Sequence, residues 1–297
     1  MAKYLLTILL ALNIVSTALS QSGLSFLKIG IGGRASGMGE AFSAVVDDAT
    51  ATYWNPAGLM QLNQQQLFLI HNEWLEDVRS EFVTFALPTK NYSIGFSLNS
   101  INIGDIELRG RQPSVDPIAT FTAHDLALGL SYARSITTEW DVGVTIKYLF
   151  EKIYIEESSG IAGDIGVQYH PEVIPIKFGM TLQNLGRMNK LGSESPELPR
   201  IFRLGLAFNP TILQVDHLLF AGDFVHDFEG NSHFHVGTEY LLKDYLEVRL
   251  GYQTGYEIKS IQFGFGFRFD KILMDYGYVP LQKNFGQGHR FSFGINF

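Results

Sequence analysis

Alternation of large apolar residues with small or polar ones, repeated along most of the chain, is the feature that most limits what this sequence can fold into. Between 260 and 269, Ile261, Phe263, Phe265, Phe267 and Phe269 alternate with Gln262, Gly264, Gly266 and Arg268. The same beat sets Leu126, Leu128, Leu130 and Tyr132 against Asp125, Ala127, Gly129 and Ser131, and Val142, Val144, Ile146 and Tyr148 against Asp141, Gly143, Thr145 and Lys147. Successive side chains of an extended strand point to opposite faces, so each run is a strand with one apolar face. One such strand suits a water-soluble sandwich as well as a membrane barrel. Number, length and spacing must decide.

Read in this way, the chain offers fourteen strands, at 66–74, 80–88, 91–103, 122–134, 140–151, 160–170, 175–184, 200–209, 217–226, 232–241, 245–253, 260–269, 272–279 and 288–297. The number is even, as a closed bacterial barrel requires, and most runs have the roughly 9 to 11 residues a tilted strand needs to cross hydrocarbon. Connections at 88–90, 135–139, 243–244 and 270–271 are short, whereas 104–121, 185–199 and 280–287 are longer and richer in Gly, Pro and charge. The alternation is imperfect, since 254–259 is brief for the long-loop side. Short periplasmic turns and longer outer loops then place both chain ends in the periplasm. The expected fold is all-β: a closed antiparallel transmembrane β-barrel of about fourteen strands in the outer membrane of a Gram-negative bacterium.

The start of the chain is of another kind. Lys3, the apolar stretch 4–15 and the small-x-small run Ala18-Leu19-Ser20 before Gln21 form a secretory signal peptide over 1–20. Its apolar stretch is well short of the roughly 20 residues a spanning helix needs. Residues 21–64 lack a sustained period of two and are expected to form a plug, leaving 65–297 for the barrel. At the other end Phe291, Phe293, Ile295 and Phe297 alternate with small or polar residues, so the chain closes on an amphipathic strand ending in an aromatic. Such an ending resembles the signal read by barrel assembly machinery, which makes Phe297 the expected assembly signal.

Several chemistries are excluded or unsupported. Cysteine is absent, which removes disulfides and thiolate metal sites. A net charge of −8 argues against a nucleic-acid surface, which needs clustered cations. Gly30, Gly32 and Ala35 break the G-x-G-x-x-G spacing, and neither G-x-S-x-G nor H-E-x-x-H occurs, so no enzyme or cofactor is expected. His226, Asp227, Glu229, His233 and His235 have metal-ligating chemistry, but histidines two apart on a strand simply share a face, and no metal is expected there. Asp125, Asp141, Lys147, Asp164, Arg203, Asp223, Glu239, Glu247, Arg249 and Arg268 fall on the polar strand faces and are expected to pair within the lumen.

Within the plug segment, Phe26-Leu27-Lys28-Ile29-Gly30, Gly33-Arg34-Ala35, Gly37-Met38-Gly39-Glu40-Ala41-Phe42, Asp47-Asp48-Ala49 and Tyr53-Trp54-Asn55-Pro56-Ala57-Gly58-Leu59 resemble the PorV/PorQ family of outer-membrane proteins, itself related to the FadL fatty-acid channels. The resemblance implies a fourteen-stranded barrel with the segment folded into its lumen and Asn55-Pro56-Ala57 near the junction with the wall. It also implies a structural or gating role for Gly33, Arg34, Gly37, Met38, Gly39, Asp47, Asp48, Trp54, Asn55, Pro56, Ala57 and Gly58. Two functions follow from it. As in PorV and PorQ, the protein would assist type IX secretion, with secretion-system proteins and exported cargo as partners besides outer-membrane lipid. As in FadL, it would instead pass hydrophobic small molecules. The polar lumen favours the first, with Leu108, Val115, Ile118, Met188, Leu191, Leu198 and Phe285 of the longer loops as expected contact points.

Overall fold

The computed structural model describes residues 23–74, 78–110, 116–192, 194–210, 217–259, 261–283 and 285–297. The signal peptide expected at 1–20 and the contact point Val115 lie outside them. Fourteen strands follow one another: β1 (Gln66–Glu73), β2 (Arg79–Pro88), β3 (Tyr92–Leu108), β4 (Ala119–Ser135), β5 (Trp140–Ile153), β6 (Glu156–Tyr169), β7 (Ile176–Met188), β8 (Ile201–Phe208), β9 (Leu218–Asp227), β10 (Ser232–Leu242), β11 (Leu246–Gln253), β12 (Ile261–Phe269), β13 (Ile272–Pro280) and β14 (Gln287–Asn296). Each pairs antiparallel with its neighbours in sequence, and β1 closes on β14 in the register Leu67↔Ile295 and Leu69↔Phe293. Closure leaves no strand edge unpaired, which is what allows a sheet to sit in lipid.

The faces follow the alternation. On β12, Gln262, Gly264 and Gly266 are buried toward the lumen while Phe263, Phe265 and Phe267 point outward, Phe265 with 53 % of its surface exposed. An outward belt of exposed aromatic and aliphatic side chains would be costly in water and is what a hydrocarbon environment requires. Among the described residues no helix is long and apolar enough to cross a membrane. Crossing falls to the strands.

The strands depart from expectation mainly where they grow. β3 and β4 reach 17 residues each, shrinking the expected 104–121 loop to 109–118. The cause is a register shift between Ile103 and Ile106, where Asp105 takes a φ of 52°. A bulge adds a residue without ending the pairing, and it breaks the period by which the strand was recognised. β7 likewise continues to Met188 past Asn184, whose φ is 62°. The wall is therefore tallest along β3–β7. Loop length does not separate the two ends as expected: β5 and β6 join across Tyr154 and Ile155 alone, while the 209–217 connection stands at the opposite end.

Residues 23–65 run inside the ring. They carry a 3-10 turn (Ser25–Lys28), short helices at Gly33–Gly37 and Ala51–Trp54, and a second 3-10 turn at Pro56–Gln61. Their apolar side chains make two clusters with the inner wall. Phe42, Val46, Trp54 and Leu59 meet Phe68, Ile70 and Phe82, and Leu24, Phe26 and Leu27 meet Ile101, Leu149 and Leu198. Gly23 lies against Pro196 in the 189–200 connection, whereas the Phe297 N–H donates to the Gln65 carbonyl at the other end of the wall. Gly23 and Phe297 thus stand at opposite ends of the barrel, with the segment crossing the lumen between them before β1 begins.

Candidate functional site

The segment is fitted to the wall by backbone, and the fit depends on glycine from both sides. Gly37 packs on Gly264, where an added Cβ would come within 2.7 Å of the strand's Cα. Gly39 turns at a φ of +64° toward Gly251, and a Cβ on Gly251 would stand 1.9 Å from the Gly39 nitrogen. No side chain fits at such an approach. The Gly33 N–H donates to Ser292 Oγ at 2.8 Å, and the fully buried Met38 lays its carbonyl over Gly237. Of these wall glycines the alternation named only Gly264, as a small residue between phenylalanines.

Charge holds the same half of the segment. Arg34 donates to Glu239 at 2.9 and 3.0 Å and to Asp47 at 2.5 Å, and lies 3.5 Å from Asp48. On the wall Arg249 binds Glu239 at 2.6 Å, Asp275 at 2.7 Å and also Glu247, which Arg268 contacts as well. Burial works against the charge on Arg34, but the carboxylates of Asp47 and Glu239 outweigh it and raise its pKa well above the usual value. Burial likewise opposes ionisation of Asp47, and Arg34 overcomes it to hold that carboxyl below its ordinary value. For Asp48 burial wins and the pKa is raised. Asp48 instead accepts from the Thr50 N–H at 2.8 Å and from its hydroxyl, capping the turn that starts Ala51–Trp54.

The second half is anchored at Asn55. Its side chain accepts from the Ala57 N–H at 3.2 Å and donates to the carbonyls of Ser43 at 2.8 Å and Val167 at 3.1 Å, tying turn, segment and β6 together. Pro56 opens the following 3-10 turn, where its missing N–H costs nothing, and lies against Gly143 and Gly166 of the wall. Trp54 is fully buried, edge-on to Phe42 at 5.9 Å, with the Arg203 guanidinium 5.0 Å from its ring. Gly58 passes the Val46 carbonyl at a distance no Cβ tolerates. Of the twelve expected segment residues, Gly33, Arg34, Gly37, Met38, Gly39, Trp54, Asn55, Pro56 and Ala57 meet the inner wall, while Asp47, Asp48 and Gly58 bond or pack within the segment. Phe297 stands apart, 58 % exposed, with its ring edge-on to Phe85 at 6.4 Å.

Elsewhere the residues singled out are dispersed. His226 lies 3.0 Å from Ser232 Oγ, Glu229 binds Lys28 at 2.6 Å, and Asp227 accepts from Asn231. His233 stacks on Tyr256 at 3.8 Å, and His235 lies 3.2 Å from the Tyr256 hydroxyl. Among the described residues no three His, Asp or Glu side chains are grouped to hold a metal. The lumen charges pair in places, Lys147 with Asp164 at 2.7 Å and Asp141 with His170 at 2.9 Å, whereas Asp125 faces another carboxylate, Glu151, across the ladder. Of the expected contact points, Met188 and Leu198 are buried against the segment, leaving Ile118 and Phe285 the well-exposed ones among those described.

The cavities differ in place and size. At the Phe297 end a cavity of about 420 Å³ opens over Arg34, Asp47, Lys177, Leu219, Glu239 and Arg268. Above it the segment fills the ring, and the space among Leu27, Tyr53, Phe82, Lys147 and Asn184 is about 20 Å³, no more than a water molecule needs. A third space, about 530 Å³ beside Leu69, Phe265, Phe267, Met274 and Phe293, is a groove on the outward, lipid-facing wall.

Set against known structures, the chain is similar to the CymD monoaromatic hydrocarbon channel over 93 % of its length and 99 % of that one, with a TM-score of 0.65 and 12 % identity. This is a FadL-type barrel fold. The Pseudomonas putida toluene transporter TodX (TM-score 0.65, 13 % identity, 90 % of this chain and 99 % of that one) and a Pseudomonas aeruginosa FadL homologue (0.63, 11 %, 90 % and 98 %) have the same FadL-type likeness. Residues 17–125 match the model of an uncharacterised protein family, UPF0164. A UPF0164 protein of Treponema pallidum (strain Nichols) is 37 % identical over 202 residues, which cover 60 % of this chain and 46 % of the relative. The chain thus spans about half the length of that relative. The likenesses run to UPF0164 and to FadL-type barrels, and the PorV/PorQ reading of the segment finds no support in them.

Proposed function

We propose that this protein is a non-enzymatic outer-membrane channel for hydrophobic small molecules, with residues 23–65 as its plug and the Phe297 end in the periplasm. The observation that carries this reading is the likeness of nearly the whole chain to a hydrocarbon channel and a toluene transporter. The lumen agrees with it better than the charge of the strands suggested. Arg34, Glu239, Glu247, Arg249, Arg268 and Asp275 neutralise one another in a single network at one side, while Phe68, Ile70, Phe82, Ile101 and Leu149 present an apolar wall to the segment. An apolar solute following Phe68, Ile70 and Phe82 would avoid that network, whereas beside Ile101 and Leu149 it would pass the carboxylates of Asp125 and Glu151. Surface handover of secreted proteins, the reading taken from PorV and PorQ, is less well served, since part of its expected contact surface is spent inside the barrel. Phe297 keeps its proposed role as a mark for the barrel assembly machinery.

The experiment is uptake by cells lacking the gene, with and without the gene restored, of toluene and of a long-chain fatty acid. The proposal expects uptake of at least one to fall and to return with the gene. Normal uptake of both, in cells where exported proteins fail to reach the surface, would replace it with the secretion reading.

A further inference from the structure

One buried cation at the mouth opposite Phe297 shares a carboxylate with a second cation that lies closer to it. Lys259 lies on the connection after β11, yet its side chain is only 11 % exposed, because it turns inward over the lumen. Its ammonium stands 4.8 Å from the Trp74 ring, 5.2 Å from the Tyr256 ring and 3.9 Å from Glu40 of the segment. Glu40 already has a closer cation: Arg290 donates to it at 2.9 Å and itself lies 5.2 Å from Trp74. Two cations thus share one carboxylate and one indole. Burial lowers the pKa of Lys259, and the neighbouring Arg290 adds to that, so the ammonium gains less from the site than it would from a carboxylate of its own.

We propose that residues 254–259 form a lid over this side of the mouth and that Lys259 is the pin that holds it shut. The segment 254–259 is tied to its surroundings by edge contacts, Thr254 to Phe234, Ile258 to the Gln282 N–H at 2.8 Å, a bridge from Lys259 to Leu281 and the exposed pair Lys283–Glu257, and inside the mouth by Tyr256, which stacks on His233 and lies 3.2 Å from His235. Gly255, with a φ of +79°, supplies a turn other residues adopt with strain. If the lid lifts, Lys259 passes into water, where an ammonium is strongly hydrated, while Glu40 keeps Arg290 and is not left as an uncompensated buried charge. Opening therefore costs the contacts of Tyr256 with His233 and His235, the exposed Lys283–Glu257 pair and the shared contact of Lys259, but it strands no buried charge. Beneath the lid, Trp74, Arg290 and the fully buried Val279 on β13 would become accessible.

The purpose assigned to the lid, admission of a solute, rests on the channel reading, but its test does not. The chain has no cysteine, so one introduced thiol can be read cleanly. Val279→Cys is labelled with a water-soluble maleimide in the intact, membrane-inserted barrel, alone and combined with Lys259→Ala or Lys259→Arg. The expected result is labelling roughly three- to tenfold faster with Lys259→Ala, the shift in a closed-to-open equilibrium that loss of a cation–π and ion-pair contact produces, and near the parent rate with Lys259→Arg. Ala127→Cys, buried on the inner wall of β4 beneath the other apolar cluster, should not respond to either. Equal rates at Val279→Cys with and without Lys259 would overturn the pin, and an equal acceleration at Ala127→Cys would show general loosening in place of a lid. Loss of hydrophobe uptake bears on the channel reading alone.

Discussion

Asn55 and Glu40 show how much of the lumen hangs on single polar side chains. Asn55 is fully buried, and its amide serves one donor and two carbonyls, of which that of Ser43 also accepts from Gln168 at 3.4 Å. Replacing it by Ala removes those bonds and leaves the Ala57 N–H without its side-chain acceptor, at about 1–3 kcal/mol for a buried unpaired polar group. Asn55→Ala should therefore unfold earlier in denaturant or heat while inserting normally, read by the shift in gel mobility of the folded barrel. Glu40 adds a pH dependence. Burial would raise its carboxyl, but Lys259 and Arg290 outweigh burial and hold it well below the usual carboxylate range. A depressed pKa contributes stability that is complete above the unfolded value of about 4.3 and is lost as pH falls through the folded one. The barrel should accordingly lose stability on acidification below about pH 4.3, and Glu40→Gln should be less stable at neutral pH with a shallower acid limb.

At the scale of elements, the contact between the segment and the wall is a pairing of two backbones. β5 and β6 turn Gly143 and Gly166 toward Pro56, and a Cβ at Gly143 would stand 2.4 Å from the Pro56 carbonyl carbon. Backbone cannot yield as a flexible side-chain end does, so Gly143→Val should displace the 55–58 turn while leaving β5 intact, valine being well suited to a strand. The expected outcome is normal insertion with faster proteolysis of residues 23–65, and unchanged proteolysis would mean that the turn is not held by that approach. The sequence displayed these glycines as the small partners of Val142, Val144 and Ile165. What they were small for could not be read from it, because the element they receive lies about a hundred residues away in the chain.

For the molecule as a whole, wall and filling are separable. Every strand is hydrogen-bonded to two others, so the ring needs no lumen segment to satisfy its backbone. Deleting 24–60 should give a barrel that still inserts and shifts on gels, with a conductance for small ions well above that of the parent, whose interior spaces are as small as about 20 Å³. Equal conductance would locate the obstruction in the connections at the mouth. The tall wall along β3–β7 gives the two sides of that mouth different character: one stoppered by Leu24, Phe26 and Leu27 under Leu198, the other held by Lys259 against Trp74.

By itself the sequence determined the strand count, the placement of every strand to within a few residues, and which side chains face lipid, because a period of two is written locally and a one-residue slip would invert both faces. It marked residues 21–64 as something other than wall. It did not determine how far β3 and β7 extend, since bulges at 103–106 and near 184 break the local period while the pairing continues. Nor could it decide which charges meet: Arg34 with Glu239, Glu40 with Arg290 and Asn55 with Val167 join positions more than a hundred residues apart. Only closure of the ring, which brings the inner faces of all fourteen strands around one threaded segment, creates those contacts, and it is the same closure that places the two ends of the described chain at opposite mouths.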